Sequence, residues 1–288
     1  SSDLFDEIAT AAFYIVSGSF VLLLIAFTLY VVWGGVQAIS PEIFSFSETD
    51  IGNQFFNTVY LVFLSLVISV PIGIAAGIYM AEYAPEGRVT NSLRIAIETL
   101  SSLPSIVVGL FGYLVFIIMV NTQWNLFSGA LAVSILSLPL ITTTTYDAFK
   151  ALPLGWKHGS LALGATHWET IWHVMLPASV GPIMTGIILA AGRGFGEAAA
   201  LLYTAGMSTD INWSVWDITS PVCPLNPFRP GETLSLQVWA SRTEATSASA
   251  GNVAAAASAV LMIMVLVFSI GARLLSRHLA KKSEGENA

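Results

Sequence analysis

Charge is scarce in this chain. Only 10% of its 288 residues are Asp, Glu, Lys or Arg, where a soluble domain carries roughly 25%, so most of its length cannot be dressed as an aqueous surface. The few basic residues form neither a stripe nor a patch interleaved with aromatics, which excludes a nucleic-acid-binding face. Cysteine is nearly missing as well. Cys223 alone permits no intrachain disulfide and no thiolate metal site. There is no Gly-Lys-Ser/Thr phosphate loop, so ATP hydrolysis by that route is excluded, and no nucleophile, base and orienter read as a triad. The net charge of −7 is not gathered into an acidic tail. No basic lead-in precedes the first apolar run, so a cleavable signal is not expected, and the start Ser1-Ser2-Asp3 without Met suggests processing or an incomplete N-terminus.

Long apolar runs are what the chain does have. Hydrophobic residues make up 55% of it, and six runs approach or exceed the ~20 residues that cross ~30 Å of hydrocarbon. They cover about 11–36, 55–81, 104–120, 126–149, 178–206 and 252–275. The expected fold is therefore an all-α integral membrane domain of six transmembrane helices, filling residues 1–288. Ser101-Ser-Leu-Pro-Ser105 breaks the third run from the segment before it, and a break at membrane depth needs protein or a water-filled cavity around it. Gly73/Gly77 and Gly192/Gly196 have the spacing that lets helices approach closely. The run Thr142 to Thr145 can either hydrate a vestibule or sit quietly in its helix.

Arg88, Arg94, Lys150, Lys157, Arg273, Arg277, Lys281 and Lys282 fall on one side of these runs, and only Arg229 and Arg242 on the other. The positive-inside bias then puts both termini and the 150–177 segment in the cytoplasm, with the acidic 39–50 loop and the Pro- and Trp-rich 207–251 loop outside. That outer loop either docks a partner or folds down on the membrane, and Cys223 faces outward with it.

The 150–177 segment reads as two short helices with a sharp bend. Gly164 can take the left-handed conformation that closes the first, and Thr166 with Glu169 three residues on is a capping-box pattern that opens the second. Ala165, Trp168, Trp172 and Met175 recur as one apolar stripe, and Pro177 ends the helix or starts the next. Such a hairpin either covers its own domain or plugs into a partner. His158, His167 and His173 lack an acid or thiol to complete a metal set, and are expected to face solvent or a partner.

The fifth run alone holds charge in its middle. Arg193 lies roughly 20 Å from either interface, too deep to snorkel, so it should face a bundle interior or wet cavity. Glu197, four residues on, shares its helical face and is the natural counter-charge, with Gly192, Gly194 and Gly196 leaving room around the pair. Two readings stay open here: a bridge that locks helices, or a place on a transport route, where the planar guanidinium suits an anion such as phosphate.

Several stretches resemble a known family. Gly164, nine residues, then Val174-Met-Leu-Pro177 is similar to the second half of the cytoplasmic coupling loop of ABC-importer permeases, although His158, Gly159 and Ser160 stand where that signature has Glu-Ala-Ala. Leu103-Pro-Ser-Ile-Val-Val-Gly-Leu-Phe-Gly112, Leu138-Pro-Leu-Ile-Thr142 through Leu152-Pro153, and Gly186 to Leu202 around Arg193 and Glu197 resemble the phosphate-importer permeases. The run Glu197 to Gly206, with Thr233-Leu-Ser-Leu-Gln237, looks more like the A-type than the C-type of their two homologous permeases.

The resemblance implies a multi-pass subunit of a prokaryotic cytoplasmic membrane that does no covalent chemistry. It implies three partners: a second permease, a cytoplasmic ATPase dimer carrying ATP and Mg, and an extracytoplasmic phosphate-binding protein. It places Arg193 and Glu197 on the substrate pathway, and Gly164, Ala165, Thr166, Glu169, Leu176 and Pro177 in the ATPase-coupling loop. A permease for another substrate, an ion-coupled anion carrier and a non-transporting membrane scaffold are the rival readings.

Overall fold

The computed structural model describes residues 2–39, 46, 51–85, 87–243 and 250–285, which form helices joined by turns. In chain order the helices are α1 (Ser2–Ala38), α2 (Gly52–Ile78), α3 (Arg88–Ser102), α4 (Ser105–Gly112), α5 (Leu126–Lys150), α6 (Leu154–Ala162), α7 (His167–Thr170), α8 (Leu176–Gly196), α9 (Ala199–Thr204), α10 (Leu234–Thr243) and α11 (Ala250–Gly285). Wide turns holding an extra residue prolong α2 over Tyr79–Tyr83, α4 over Tyr113–Met119 and α7 over Ile171–Met175. Five stretches are long and apolar enough to span a membrane, and α3 with α4 makes a sixth if that bent pair counts as one. The acidic loop expected over 39–50 lies almost wholly outside the described residues.

α1 is apolar all round, and Phe13, Phe20, Leu22, Ile25 and Phe27 are exposed along it. A helix of that kind belongs in lipid. It meets the rest of the chain at α11, where Gly35 comes so close that a Cβ there would sit 2.1 Å from the Cβ of Ala259.

α5 is the most buried of the long helices and the one around which the others pack. Its approach surfaces are built from small residues. A Cβ on Gly73 or Gly77 of α2 would fall 2.7 Å from Ile141 or 2.6 Å from Thr145, so that glycine pair seats α2 on α5. On α8, Gly186 meets Thr144, and on α4, Gly109 meets the backbone of Ala200 in α9. Thr143, Thr144 and Thr145 return their hydroxyls to the carbonyls of Pro139, Leu140 and Ile141, which satisfies them within the helix.

The third span breaks at Leu103 and Pro104, both extended, and its halves meet at 99°. Proline's missing N–H and its bias of the preceding residue toward extended backbone make this the cheapest place to break. The fifth run, expected as one helix over 178–206, is two. α8 stops at Gly196, Glu197 is extended at φ −70° and ψ 125°, and α9 begins at Ala199. Three glycines in five residues, Gly192, Gly194 and Gly196, weaken the helix enough for the break to fall there.

The Pro- and Trp-rich segment after α9 packs on the rest of the chain. Residues 207–233 fold as successive turns onto the outer ends of α2, α5 and α9, and α10 returns toward α11. Arg229 is 1% exposed at its centre, donating to the carbonyls of Cys223, Pro224 and Pro230 and, at 2.6 Å, to Asn57 Oδ1. Cys223 is buried beside it.

Gly186 and Gly192 separate the two roles glycine has in α8. A Cβ on Gly186 would lie 2.2 Å from Thr144 Oγ1, a hydroxyl already held by Leu140, whereas one on Gly192 meets nothing within 4 Å. Gly186→Val is expected to destabilise the chain by about 1–3 kcal/mol through overpacking, and Gly192→Ala to raise the thermal midpoint in detergent slightly, since its Cβ meets open space and alanine favours the helix. Equal midpoints for the two variants would refute the close α5–α8 approach.

Candidate functional site

At the break in the fifth span the expected Arg193–Glu197 pair does not form. The helix ends at Gly196, so Glu197 does not fall on the Arg193 face one turn later. Its carboxylate turns instead to the free N–H groups of α9, where Oε1 accepts from Ala200 N at 3.1 Å, and it is only 8% exposed. The carbonyl of Glu197 accepts from Ser235 Oγ of α10, which ties the break to the outer cap. A carboxylate at a helix start and a cation in the last turn of the preceding helix both suit the helix dipoles.

Arg193 is exposed, and among the described residues its side chain has one hydrogen bond, a long one from Nη1 to the Leu136 carbonyl at 3.5 Å. Among the described residues it forms no ion pair. Leu136 lies ten residues from the first residue of α5 and fourteen from the last, about 15 Å and 21 Å, so the guanidinium sits near the middle of the span. Gly192 and Gly196 beside it border open space, while Gly194 packs on Val62 and Val133. A cation at that depth without a carboxylate faces an aqueous path or another protein surface.

The inner hairpin has the shape its sequence predicts. Gly164 is left-handed at φ +91°, with Gly164 N donating to Leu161 O and Ala165 N to Ser160 O, the double closure of a helix end. Thr166 and Glu169 form both halves of a capping box. Ser160 Oγ meets Thr170 Oγ1 at 2.9 Å, pinning the two helices together. Leu176 and Pro177 open α8.

The apolar stripe is split. Ile171 and Met175 enter a core with Ala81, Phe149 and Ile183. Trp168 and Trp172 stack on each other, 5.6 Å between centroids, and remain 59% and 52% exposed. The extra residue in the wide turn at Ile171–Met175 rotates Met175 away from the tryptophan face. Ala165 lies half-buried at the bend.

Glu82 is the residue sequence reasoning passed over. It lies in the wide turn ending α2, and its Oε2 receives Lys157 Nζ of α6 at 2.5 Å and meets His167 Nε2 of α7 at 3.0 Å. His167, expected to face solvent or a partner, is thus turned inward, with its ring against Tyr83. The signal available was a single acid, in Met80-Ala-Glu-Tyr83, at the end of an otherwise uncharged span. Asn57 and Glu232 were passed over too. Asn57 Nδ2 donates to the Glu232 carbonyl, and Gln54 Nε2 to the Glu232 carboxylate at 2.9 Å. Burial pushes the Glu232 carboxyl above its usual range, partly offset by the Gln54 amide. Burial likewise lowers Arg229 to about 10.

With this geometry in place, comparison with known proteins is informative. Residues 73–284 match the sequence profile of the binding-protein-dependent transport system inner membrane component. A probable ABC transporter permease protein, YqgI of Bacillus subtilis, is 40% identical over 284 residues, covering 96% of this chain and 97% of the relative. The phosphate transport system permease protein PstA of Xylella fastidiosa is 33% identical over 231 residues, covering 78% of this chain and 74% of the relative. Two solved structures share the fold. A bacterial alginate ABC transporter chain superposes with a TM-score of 0.68 at 16% identity, covering 96% of both chains. A chain of the MetNI methionine ABC transporter in an inward-facing conformation gives 0.58 at 15% identity, covering 84% of this chain and 99% of that one.

Two measurements follow from the ties described. Glu82→Gln removes the charge that holds Lys157 and His167, so amide exchange over 154–175 should speed up while α5 stays protected; unchanged exchange would show that the carboxylate does not hold the hairpin. For Glu232, a raised folded-state pKa means that folding favours the protonated acid. Its stabilising contribution is full below the unfolded pKa and is lost as pH rises toward the folded one. Glu232→Gln keeps a partner for Gln54, so its melting point should exceed wild type at about pH 8 and match it at about pH 4. A gain that is the same at both pH values would contradict the burial cost.

Proposed function

Since the chain belongs to the family of binding-protein-dependent transport system inner membrane components, we propose that it is one of two homologous permeases in an ATP-driven importer of inorganic phosphate. It is a multi-pass membrane protein and a transport component of an ABC importer; the phosphate specificity is our reading. The observation that carries this reading is the Arg193 guanidinium, exposed near the middle of the span with no carboxylate among the described residues neutralising it. The phosphate transport permeases among its relatives point the same way. In the assembled pair the open side of α8, with Gly192 and Gly196, lines the route together with the second permease. An oxyanion passing there meets a planar fork of donors matched to it. Glu197 shapes the route by fixing the break and the start of α9.

The hairpin carries the energy input. In this reading it lies in the cytoplasm, as do both termini, in keeping with the basic residues gathered at that end. ATP and Mg bind a separate ATPase dimer. Its groove receives the exposed face of the hairpin, Trp168, Trp172 and the bend at Gly164, Ala165 and Thr166, with Glu169 holding the cap and Leu176 and Pro177 passing the displacement into α8. An extracytoplasmic phosphate-binding protein delivers substrate to the outer cap. Alternating access then follows from two permease halves rocking between two packed arrangements.

Arg193→Ala, in a complex reconstituted with its ATPase, second permease and binding protein, should lower phosphate uptake by about a hundredfold, since more than one charge-assisted hydrogen bond is lost. The complex should still assemble and elute intact. Phosphate uptake close to wild type would rule out Arg193 as a substrate contact.

A further inference from the structure

A second basic site lies at the Lys150 end of α5, away from both the break in the fifth span and the exposed tryptophan face of the hairpin. Arg94 of α3 and Lys150, the last residue of α5, approach the same aromatic ring. The Arg94 Cζ is 5.3 Å and the Lys150 Nζ 5.9 Å from the Tyr146 centroid, and Arg94 Nη2 donates to the Tyr146 hydroxyl at 2.8 Å. Between α3 and the ends of α2 and α5 opens a cavity of about 260 Å³, lined by Gly87, Thr90, Asn91, Arg94, Tyr146 and Lys150. Two cations, an amide and two hydroxyls thus surround one small space. Glu98 and Asp147 border an adjoining cavity of about 250 Å³ that shares Met80, Arg94 and Tyr146 with this one. Among the described residues, neither Arg94 nor Lys150 forms an ion pair.

Two like charges drawn to one ring repel each other, and cation–π attraction at an exposed site offsets only part of that. An anion between them removes the conflict. The depth selects its chemistry. The 25 residues of α5 extend about 37 Å, enough to cross the hydrocarbon and put Lys150 at the level of the phosphate groups. Basic pockets between helices on the inner side are where such groups bind.

We propose that Arg94, Lys150 and Tyr146, with Thr90 and Asn91, form a site for a phosphate group. Arg94 supplies the planar fork, Lys150 a mobile point charge, and the Tyr146 hydroxyl and Asn91 amide the remaining donors, while the Thr90 hydroxyl donates to the Pro85 carbonyl and borders the site. Its occupant is the headgroup of an anionic phospholipid or free inorganic phosphate at the inner mouth of the protein. The site does not depend on the transport reading: Arg94, Tyr146, Thr90 and Asn91 lie outside the hairpin, and Lys150, at its first position, is not among the residues that reading assigns to the ATPase or to the Arg193 region.

The test uses the full chain co-purified with its partner subunits. In one arm, native mass spectrometry counts phosphatidylglycerol retained after detergent washing. In the other, equilibrium binding of radiolabelled inorganic phosphate is measured on delipidated complex. The double substitution R94Q/K150Q should weaken whichever ligand binds by at least about tenfold. Lys150→Gln alone, at an exposed position that threatens no core, should give a smaller loss in the same direction. Arg273→Gln, an exposed cation on α11, should change nothing. Loss confined to the lipid arm identifies a headgroup site, and loss confined to the phosphate arm identifies an ion site. If wild type and R94Q/K150Q behave alike in both arms, or if Arg273→Gln causes an equal loss, the site does not exist.

Discussion

Helices in lipid gain little by hiding apolar side chains from one another, because the surrounding chains are equally apolar. They hold together by close contact, and in this protein close contact means small residues facing α5. Gly73 and Gly77 bring in α2, Gly186 brings in α8, and Gly109 seats α4 on α9, which packs on α5 in turn. Hydroxyls at this centre are kept off the energetic ledger by bonding to their own helix, as Thr143 to Thr145 do. The break in the fifth span is tolerable for the same reason, since it falls against protein and has freed groups engaged. Ser235 reaches the carbonyl of Glu197, and the Glu197 carboxylate takes an N–H of α9.

Local chemistry made the inner hairpin readable from sequence. A left-handed glycine and a capping box involve residues within three or four positions of each other, and no tertiary neighbour overrides them. The apolar runs were readable too, and the interruption at Pro104 fell where proline geometry requires it. The fifth span was misread because hydropathy does not register backbone continuity. Gly192-Arg-Gly-Phe-Gly196 scores as part of a span, yet its three glycines let a carboxylate trade a helical i to i+4 partner for the start of a new helix. Arg193 was found by its charge. Its lack of a partner could be seen only once Glu197 was seen to turn away.

What sequence did not offer were contacts between residues far apart in the chain. Glu82 and Lys157 are separated by 75 positions, and Gln54 and Glu232 by 178. Each is an unremarkable polar residue in its own segment. Their partners are fixed by how α2 leans on α5 and where the outer turns come to rest, which are outcomes of packing. Arg229 was counted toward topology only, but its burial among backbone carbonyls makes it the stem of the outer cap.

Both of these long-range ties belong to one helix. α2 grips the outer cap through Asn53, Gln54 and Asn57, and its last turn grips the hairpin through Glu82. Residues 52–83 are continuous in backbone from one grip to the other, a rod of about 48 Å. A helix fastened at both ends is a direct backbone link between the hairpin and the turns it holds at its other end, and Pro71 within it and the wide turn at Tyr79–Tyr83 are the two places where that link can bend.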